Sequence, residues 1–314
     1  MSQRKLVFST PATAFTAANL AGLPHWEGRF ERGHIDWKQF DDGTPKLMIR
    51  DIDDVNNRDV IFLAAFEQQE DYFTQFSAMY EIALAGPATF TIVLPYFPTA
   101  TMERPVPHGT VVTAKTLAAM LECIPPARQG ITELVVFDPH TEVLKSFFNP
   151  HKVRVTFTSF MPYIANMLKR HMGCSDWTVV FPDKGALERF GRFFPDNCQV
   201  ACSKVRDGNG RTVSIEERYT RLIHGRNCIV VDDLMQSGGT LIQCAAALRE
   251  MGAVKVECAF THAVCPNESW KKLTPNVFDL VHTTNSCPSV GNRLGTELPN
   301  FSSTDMSTFI VDAL

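Results

Sequence analysis

Short apolar runs alternate with amphipathic segments along most of the chain. The runs are apolar at consecutive positions, which is typical of strands buried on both faces of a sheet, and the other segments carry apolar residues at helical spacing. The predicted strands are residues 5–9, 60–65, 89–94, 134–137, 177–181, 228–231 and 254–260. The predicted helices are residues 13–21, 71–84, 113–121, 141–147, 186–193 and 241–251. This alternation predicts an α/β fold with mainly parallel sheets.

The same strand-and-helix plan occurs twice, which predicts two domains. A proline turn at Asn149-Pro150 separates the two halves, so we expect an N-terminal α/β domain over residues 1–149 and a C-terminal one over 150–290. The polar segment 288–307 is rich in Gly, Asn, Ser and Thr and is expected to be a loop. Residues 291–314 are then predicted to close the chain by returning to the N-terminal domain.

Composition and charge narrow the class of protein. The chain is 45% hydrophobic and its formal net charge is -4, which argues against general binding to nucleic acid or to a membrane surface. None of the nine cysteines forms a Cys-x-x-Cys pair, and no apolar stretch is long enough to span a bilayer. These features predict reduced thiols and a cytoplasmic protein.

The N-terminus allows two interpretations. Arg4-Lys5 precedes a stretch rich in Ser, Thr and Ala, with no acid before Glu27, and this composition faintly resembles a transit peptide. Alternatively, residues 5–9 are the first strand and 13–21 the first helix, and we favour that interpretation because the periodicity fits it.

The most informative stretch runs from residue 228 to residue 240. A short strand leads into Asp232 and Asp233, then into a turn with Gly238 and Gly239, and then into a helix. Glycines at a helix N-terminus let backbone N–H groups converge on a phosphate, whereas the two acids suit hydroxyl groups or a cation. A phosphorylated ribose satisfies both requirements, since it carries a phosphate and hydroxyl groups. The alternative is a plain connection in which the acids only cap the helix.

Polar turns also follow two other predicted strands. These turns are Asp138-Pro139-His140 and Pro182-Asp183-Lys184-Gly185. In parallel α/β sheets, ligands bind beyond the carboxyl ends of the strands. The turns from both halves are therefore candidates for one site or for two facing sites.

Motifs in a fixed order along nearly the whole chain carry a family resemblance. They are Phe40-Asp41-Asp42-Gly43, Val93-Leu94-Pro95-Tyr96-Phe97, Phe137-Asp138-Pro139-His140, Val180-Phe181-Pro182-Asp183, Lys204-Val205-Arg206, the stretch 230–240 and Thr261-His262. With these motifs the chain resembles the ribose-phosphate diphosphokinase (phosphoribosyl pyrophosphate synthetase) family. The segments 95–104 and 234–239 are most similar to its plant-type class.

The resemblance implies two similar phosphoribosyltransferase-like domains that transfer the diphosphoryl group of ATP to the C1 hydroxyl of ribose 5-phosphate. By this resemblance, Asp232 and Asp233 contact the ribose hydroxyls, and His140 and Asp183 are associated with Mg²⁺. The 5-phosphate is then held by Gln236, Ser237, Gly238, Gly239 and Thr240. The N-terminal domain would carry the ATP side of the site.

Further roles implied by the resemblance concern ATP and catalysis. Lys204 and Arg206 begin the family's flexible catalytic loop, where their charges stabilise the phosphates in transfer. Phe40, Asp42 and Thr44 match a turn that contacts adenine in a neighbouring subunit, which implies a homo-oligomer. The remaining ATP-binding residues implied are Thr101, Met102, Arg104 and His140.

One segment departs from the common family pattern. Thr101-Met102-Glu103-Arg104-Pro105 stands where bacterial and animal members carry Arg-Gln-Asp-Arg-Arg, and Thr44 replaces a Glu. We therefore expect a looser nucleotide preference. Two alternatives remain: a catalytically silent homologue that regulates an active partner, and a phosphoribosyltransferase that consumes phosphoribosyl pyrophosphate. The second would leave His140, Asp183 and the N-terminal half unexplained.

Overall fold

A computed structural model of the chain describes residues 4–24, 28–103, 107–172, 177–207 and 210–314. The chain forms two compact units. The first contains the residues up to Thr158 together with Asp305–Leu314, and the second is Ser159–Thr304.

The first unit is built on one parallel sheet and a separate hairpin. The strands of this unit are β1 Lys5–Ser9, β2 Phe30–Arg32, β3 Ile35–Gln39, β4 Pro45–Ile49, β5 Asp59–Leu63, β6 Thr89–Val93, β7 Thr132–Phe137 and β8 Val153–Thr158. Its helices are α1 Ala14–Gly22, α2 Glu70–Leu84 and α3 Thr113–Leu121. The sheet order is β2-β1-β5-β6-β7-β8, and β3 and β4 form a separate antiparallel hairpin. The central strands are buried at nearly every position, which explains their unbroken apolar runs.

The second unit repeats the arrangement. Its strands are β9 Trp177–Phe181, β10 Cys198–Ala201, β11 Ser203–Asp207, β12 Gly210–Ser214, β13 Asn227–Met235, β14 Lys255–Ala263, β15 Val281–Thr284 and β16 Phe301–Thr304. Its helices are α4 Met161–Met172, α5 Lys184–Phe190, α6 Thr220–Ile223, α7 Gly239–Glu250 and α8 Pro288–Glu297. The parallel sheet has the order β10-β9-β13-β14-β15-β16, and β11 pairs antiparallel with β12. The last helix, α9 Ser307–Ala313, belongs to the first unit.

This architecture confirms the predicted α/β class with two mainly parallel sheets flanked by helices. β1 and α1 form where the in-fold interpretation of the N-terminus puts them. The predicted helix over 141–147 is a 3₁₀ helix, Glu142–Phe147. The first unit extends beyond Asn149 to Thr158, because β8 pairs with β7 along its whole length.

The prediction of a loop over residues 288–307 is wrong. The segment forms α8 and β16, which pairs with β15 as an edge strand of the second sheet. Pro288 occupies the first turn of α8, where a missing N–H costs nothing, and Leu294 is fully buried. In the part of the chain that is described, no helix combines the length and the apolar content needed to cross a bilayer.

Candidate functional site

Four neighbouring strands of the second unit end at one edge of the sheet. β10, β9, β13 and β14 are parallel, so their carboxyl ends lie side by side. The turn with Asp183 follows β9, the β11–β12 hairpin follows β10, and the stretch with the two acids forms the end of β13. This edge therefore collects the site residues predicted for the C-terminal half, as expected for a parallel sheet.

Asp232 and Asp233 lie within β13, which continues to Met235 instead of ending before the acids. The Asp233 side chain is buried, and its Oδ1 lies 3.0 Å from Arg189 Nη2. The Asp232 side chain is half-buried, and its Oδ1 accepts a hydrogen bond of 2.9 Å from the Asp233 N–H. Arg189 thus pairs mainly with Asp233 and lies farther from Asp232 Oδ1, at 3.8 Å.

The surroundings of Asp232 disfavour its ionised form. Burial, followed by the neighbouring charge of Asp233, raises the pKa of Asp232 well above its usual value, and the charge of Arg189 opposes the rise. An ionised Asp232 is stabilised by hydroxyl donors or by a cation, and ribose hydroxyl groups or a divalent metal can supply these. The pair is therefore suited to binding such a group at this edge.

A glycine turn connects the acids to α7, and we call residues 236–240 the phosphate turn. Gly238 has a φ of +78°, a left-handed conformation that favours glycine, and a Cβ there would lie 2.7 Å from Met235 Cε. Gln236, Ser237 and Gly239 are exposed, so the N-terminus of α7 is open to a ligand. Converging N–H groups and the helix dipole make this turn suitable for a phosphate.

Asp183 is the N-cap of α5, and its Oδ1 accepts a hydrogen bond of 2.9 Å from the Ala186 N–H. Lys204 and Arg206 lie in β11, where their Cα partners on β12 are Val213 and Arg211. The segment expected as a loop is thus a β-hairpin on both sides of residues 208–209, which lie outside the described residues.

The turn predicted to contact adenine lies between β3 and β4. Phe40 is 52% exposed at the hairpin tip, and Lys46 Nζ lies 5.0 Å from its ring centroid. Asp42 Oδ1 accepts a hydrogen bond of 2.9 Å from the Thr44 N–H, and this bond holds the pKa of Asp42 below its usual value. Gly43 adopts a φ of +82°. Phe40 is thus a solvent-facing aromatic ring at the tip of a hydrogen-bonded turn.

The other candidates of the first unit follow two adjacent strands. Thr101 and Met102 come after β6 and are exposed, and the Met102 N–H donates to the Thr99 carbonyl at 2.8 Å. His140 comes after β7 and is half-buried. β6 and β7 are parallel neighbours, so these residues lie at the same carboxyl edge of the first sheet. Arg104 lies outside the described residues.

Arg189 is a functional candidate that sequence reasoning missed. It lies 44 positions before Asp233 and near the end of a short helix, so no local pattern links the two residues. The only signal in the sequence is its place on the helix that Asp183 caps.

The residues of both units offer few ready-made metal ligands. Within the described ranges, no three His, Cys, Asp or Glu side chains form a group that could hold a metal ion. Carboxylates at the carboxyl edge of the second sheet do offer oxygen donors, and Mg²⁺ in proteins often keeps waters and substrate phosphate oxygens as its other ligands. The side chains therefore fit a Mg²⁺ ion that keeps waters and phosphate oxygens as ligands better than an ion held by protein ligands alone.

Comparisons with known proteins agree with this architecture. Residues 16–124 match the family model described as the N-terminal domain of ribose phosphate pyrophosphokinase, and residues 198–283 match the phosphoribosyl transferase domain. The chain is 36% identical to ribose-phosphate pyrophosphokinase 4 of Oryza sativa subsp. japonica, over 89% of this chain and 87% of the relative. It is also 36% identical to ribose-phosphate pyrophosphokinase 3, mitochondrial, of Spinacia oleracea, over 92% of this chain and 68% of the relative.

A solved structure shows the same fold. The crystal structure of phosphoribosylpyrophosphate synthetase from Mycobacterium smegmatis superposes with a TM-score of 0.81 and covers 99% of this chain and 97% of its own. The two sequences are 19% identical, so this match bears on the fold alone.

Proposed function

Because the chain belongs to the ribose-phosphate pyrophosphokinase family, we propose that it converts ATP and ribose 5-phosphate into AMP and phosphoribosyl pyrophosphate. In this reaction the C1 hydroxyl oxygen of the sugar attacks the β-phosphorus of ATP. The bond from that phosphorus to the oxygen of the α-phosphate breaks, AMP leaves, and the hydroxyl loses its proton. The reaction needs accurate positioning and charge stabilisation more than a strong base.

One observation supports the proposed binding of ribose 5-phosphate, the acceptor substrate. Asp232 and Asp233 lie in the same strand that leads into the phosphate turn at the N-terminus of α7. Asp232 and Asp233 accept hydrogen bonds from the ribose hydroxyls, and the N–H groups of the turn donate to the 5-phosphate. Ser237 and Thr240 add hydroxyl donors.

The binding of ATP, the donor of the diphosphoryl group, is proposed from the family resemblance. Lys204 and Arg206 stabilise the negative charge on the phosphates during transfer. Phe40, Asp42 and Thr44 contact the adenine bound by a neighbouring copy of the chain, so the active form is a homo-oligomer. Thr101, Met102, Arg104 and His140 contact ATP within one chain. Thr101 and Met102 stand where the common family pattern has a cation and an amide, and this loss favours a loose nucleotide preference.

Enzymes of this family generally need a divalent metal ion. We propose that the ion is Mg²⁺ and that His140 and Asp183 are associated with it, with ATP phosphate oxygens and waters as further ligands. When bound, such an ion would neutralise negative charge on the phosphates in transfer. Cytoplasmic localisation stays a prediction, since relatives include chloroplastic and mitochondrial forms.

A product assay tests the function. Purified protein with ATP, Mg²⁺ and ribose 5-phosphate should release AMP and phosphoribosyl pyrophosphate in equal amounts, and chelation of the metal should stop the reaction. Absence of AMP together with binding of ribose 5-phosphate would instead indicate the silent regulatory homologue. Consumption of phosphoribosyl pyrophosphate with a base, without ATP, would indicate a phosphoribosyltransferase.

A further inference from the structure

The segment that follows β14 contacts three successive backbone carbonyls, the last one of β13 and the first two of the phosphate turn. We call residues 265–272 the bracing segment. Its Cys265 N–H donates to the Met235 carbonyl at 3.0 Å, and the Ser269 hydroxyl donates to the Gln236 carbonyl. Lys272 Nζ lies 3.4 Å from the Ser237 carbonyl oxygen. Donors from one segment thus engage the carbonyl groups of residues 235, 236 and 237 in sequence.

These contacts determine where the turn's N–H groups point. A trans peptide unit is planar, and its carbonyl and N–H point in opposite directions. The Gln236 carbonyl faces Ser269, so the Ser237 N–H points away from the bracing segment. The Gly238 N–H does the same, because the Ser237 carbonyl faces Lys272. In the described residues, neither of these two N–H groups donates to another residue.

The bracing segment has an unusual backbone of its own. Cys265, Asn267 and Glu268 have φ values of +41°, +54° and +53°, which are rare for residues other than glycine. The strain is held in place because the Ser269 and Trp270 side chains are 5% and 2% exposed. A strained backbone beside a binding turn often serves to pre-organise the turn.

We infer that Ser269 is a positioning residue for the sugar-phosphate site. Its hydroxyl holds the peptide between Gln236 and Ser237 in one orientation, so that the Ser237 N–H is aimed at the 5-phosphate before the sugar arrives. The inference rests on the proposed function, because it takes the phosphate turn as the site of ribose 5-phosphate. Ser269 itself does not touch the substrate.

Replacing Ser269 separates positioning from catalysis. Ser269→Ala removes the hydrogen bond, and Ser269→Cys keeps nearly the same side-chain volume with a much weaker donor. Both variants should raise the KM for ribose 5-phosphate about threefold to tenfold, the range expected for loss of one neutral hydrogen bond. The KM for ATP should stay at the wild-type value, and kcat should change less than twofold. Ser269→Thr keeps a hydroxyl and should restore most of the affinity.

A matched control is available in the same unit. The Ser303 hydroxyl donates to the Gly291 carbonyl at 2.8 Å, so Ser303→Ala removes the same kind of bond away from the phosphate turn. This control should leave the KM for ribose 5-phosphate unchanged. Calorimetric titration with ribose 5-phosphate in the absence of ATP gives the same comparison without relying on activity.

The outcomes are distinct. A wild-type affinity for ribose 5-phosphate in both Ser269→Ala and Ser269→Cys overturns the inference, as does an equal loss in Ser303→Ala. If the wild-type protein itself neither binds ribose 5-phosphate nor forms AMP, the proposed function fails instead. If Ser269→Ala does not fold, Ser269→Cys decides the question, because its thiol fills the space of the buried hydroxyl without leaving a cavity.

Discussion

Arg189 Nη2 lies 3.0 Å from Asp233 Oδ1, and this ion pair joins α5 to the strand that carries the acid pair. The Asp233 side chain is 2% exposed and the Arg189 side chain 22%. A buried carboxylate of this kind is tolerated because the guanidinium compensates its charge. With Arg189 directed to Asp233, Asp232 is the more accessible member of the pair.

Removing the Arg189 guanidinium should destabilise the folded protein, because Asp233 depends on its charge. Arg189→Ala leaves Asp233 buried without its partner and should lower the free energy of unfolding by about 2–3 kcal/mol, less than for a fully buried pair because Arg189 is partly exposed. Urea denaturation measures the change. Arg192→Ala removes an exposed cation a few residues later and should have little effect. In an Asp233→Asn background the cost of Arg189→Ala should shrink, and equal costs in both backgrounds would contradict the pairing.

The raised pKa of Asp232 predicts a pH-dependent penalty on stability. As pH rises above the usual value of 3.8, the unfolded chain releases a proton that the folded protein still holds. The free energy of unfolding therefore falls with rising pH until the raised pKa is passed. Asp232→Asn is neutral at every pH, so it should be more stable than wild type near neutral pH, and the difference should vanish below about pH 4.

Thermal unfolding of both proteins across this pH range measures the effect, and Asp312→Asn, a substitution at the C-terminal helix, serves as a control. A difference between wild type and Asp232→Asn that is constant with pH would contradict the assignment. The same substitution should raise the KM for ribose 5-phosphate about tenfold or more, because a charged acceptor is lost.

The parts of the site that were predictable from sequence are local in the chain. Asp232, Asp233, Gly238 and Gly239 directly follow a buried apolar strand, so their association needs only the strand-turn-helix pattern. The turns that contain Asp183 and His140 also follow apolar runs, but these two residues are selected as site candidates only by the family resemblance. Parallel sheets place such residues at one edge, which is why the pattern was informative.

Contacts between distant segments could not be predicted. Ser269 lies 33 positions after Gln236, and its hydrogen bond depends on the strained path of the bracing segment. The α8 and β16 elements were missed because Gly, Asn, Ser and Thr make up half of residues 288–307. Packing of Leu294 and Phe301 against the core of the second unit overrides that composition.

Lys204 is predicted to act in the transition state more than in substrate binding. Lys204→Ala should lower kcat about 100-fold or more, because one preorganised charge on the transferring phosphates is lost, whereas the affinity for ribose 5-phosphate should barely change. Steady-state kinetics and direct titration measure the two quantities. Arg218→Ala is a suitable control, since Arg218 is an exposed cation paired with Glu216 at 3.0 Å. A parallel loss of ribose 5-phosphate binding would show that Lys204 has a different role.

Phe40 is predicted to contribute to the binding of the nucleotide and not to the binding of the sugar. Phe40→Ala removes an exposed ring at the tip of the β3–β4 hairpin and should raise the KM for ATP about threefold to tenfold, with the KM for ribose 5-phosphate unchanged. Phe15 on α1 is 58% exposed, so Phe15→Ala is a control of the same chemistry. Equal effects of the two substitutions on ATP would refute a nucleotide contact for Phe40.

Tracing the phosphorus atoms of ATP is a direct test of diphosphoryl transfer to the sugar. The protein is incubated with ATP, Mg²⁺ and ribose 5-phosphate, and the reaction is followed by ³¹P nuclear magnetic resonance. In the proposed reaction the β- and γ-phosphorus atoms move together onto the C1 oxygen of the sugar, while the α-phosphorus appears in AMP in equal amount. Formation of ADP, release of free pyrophosphate without a sugar product, or unchanged ATP would contradict it.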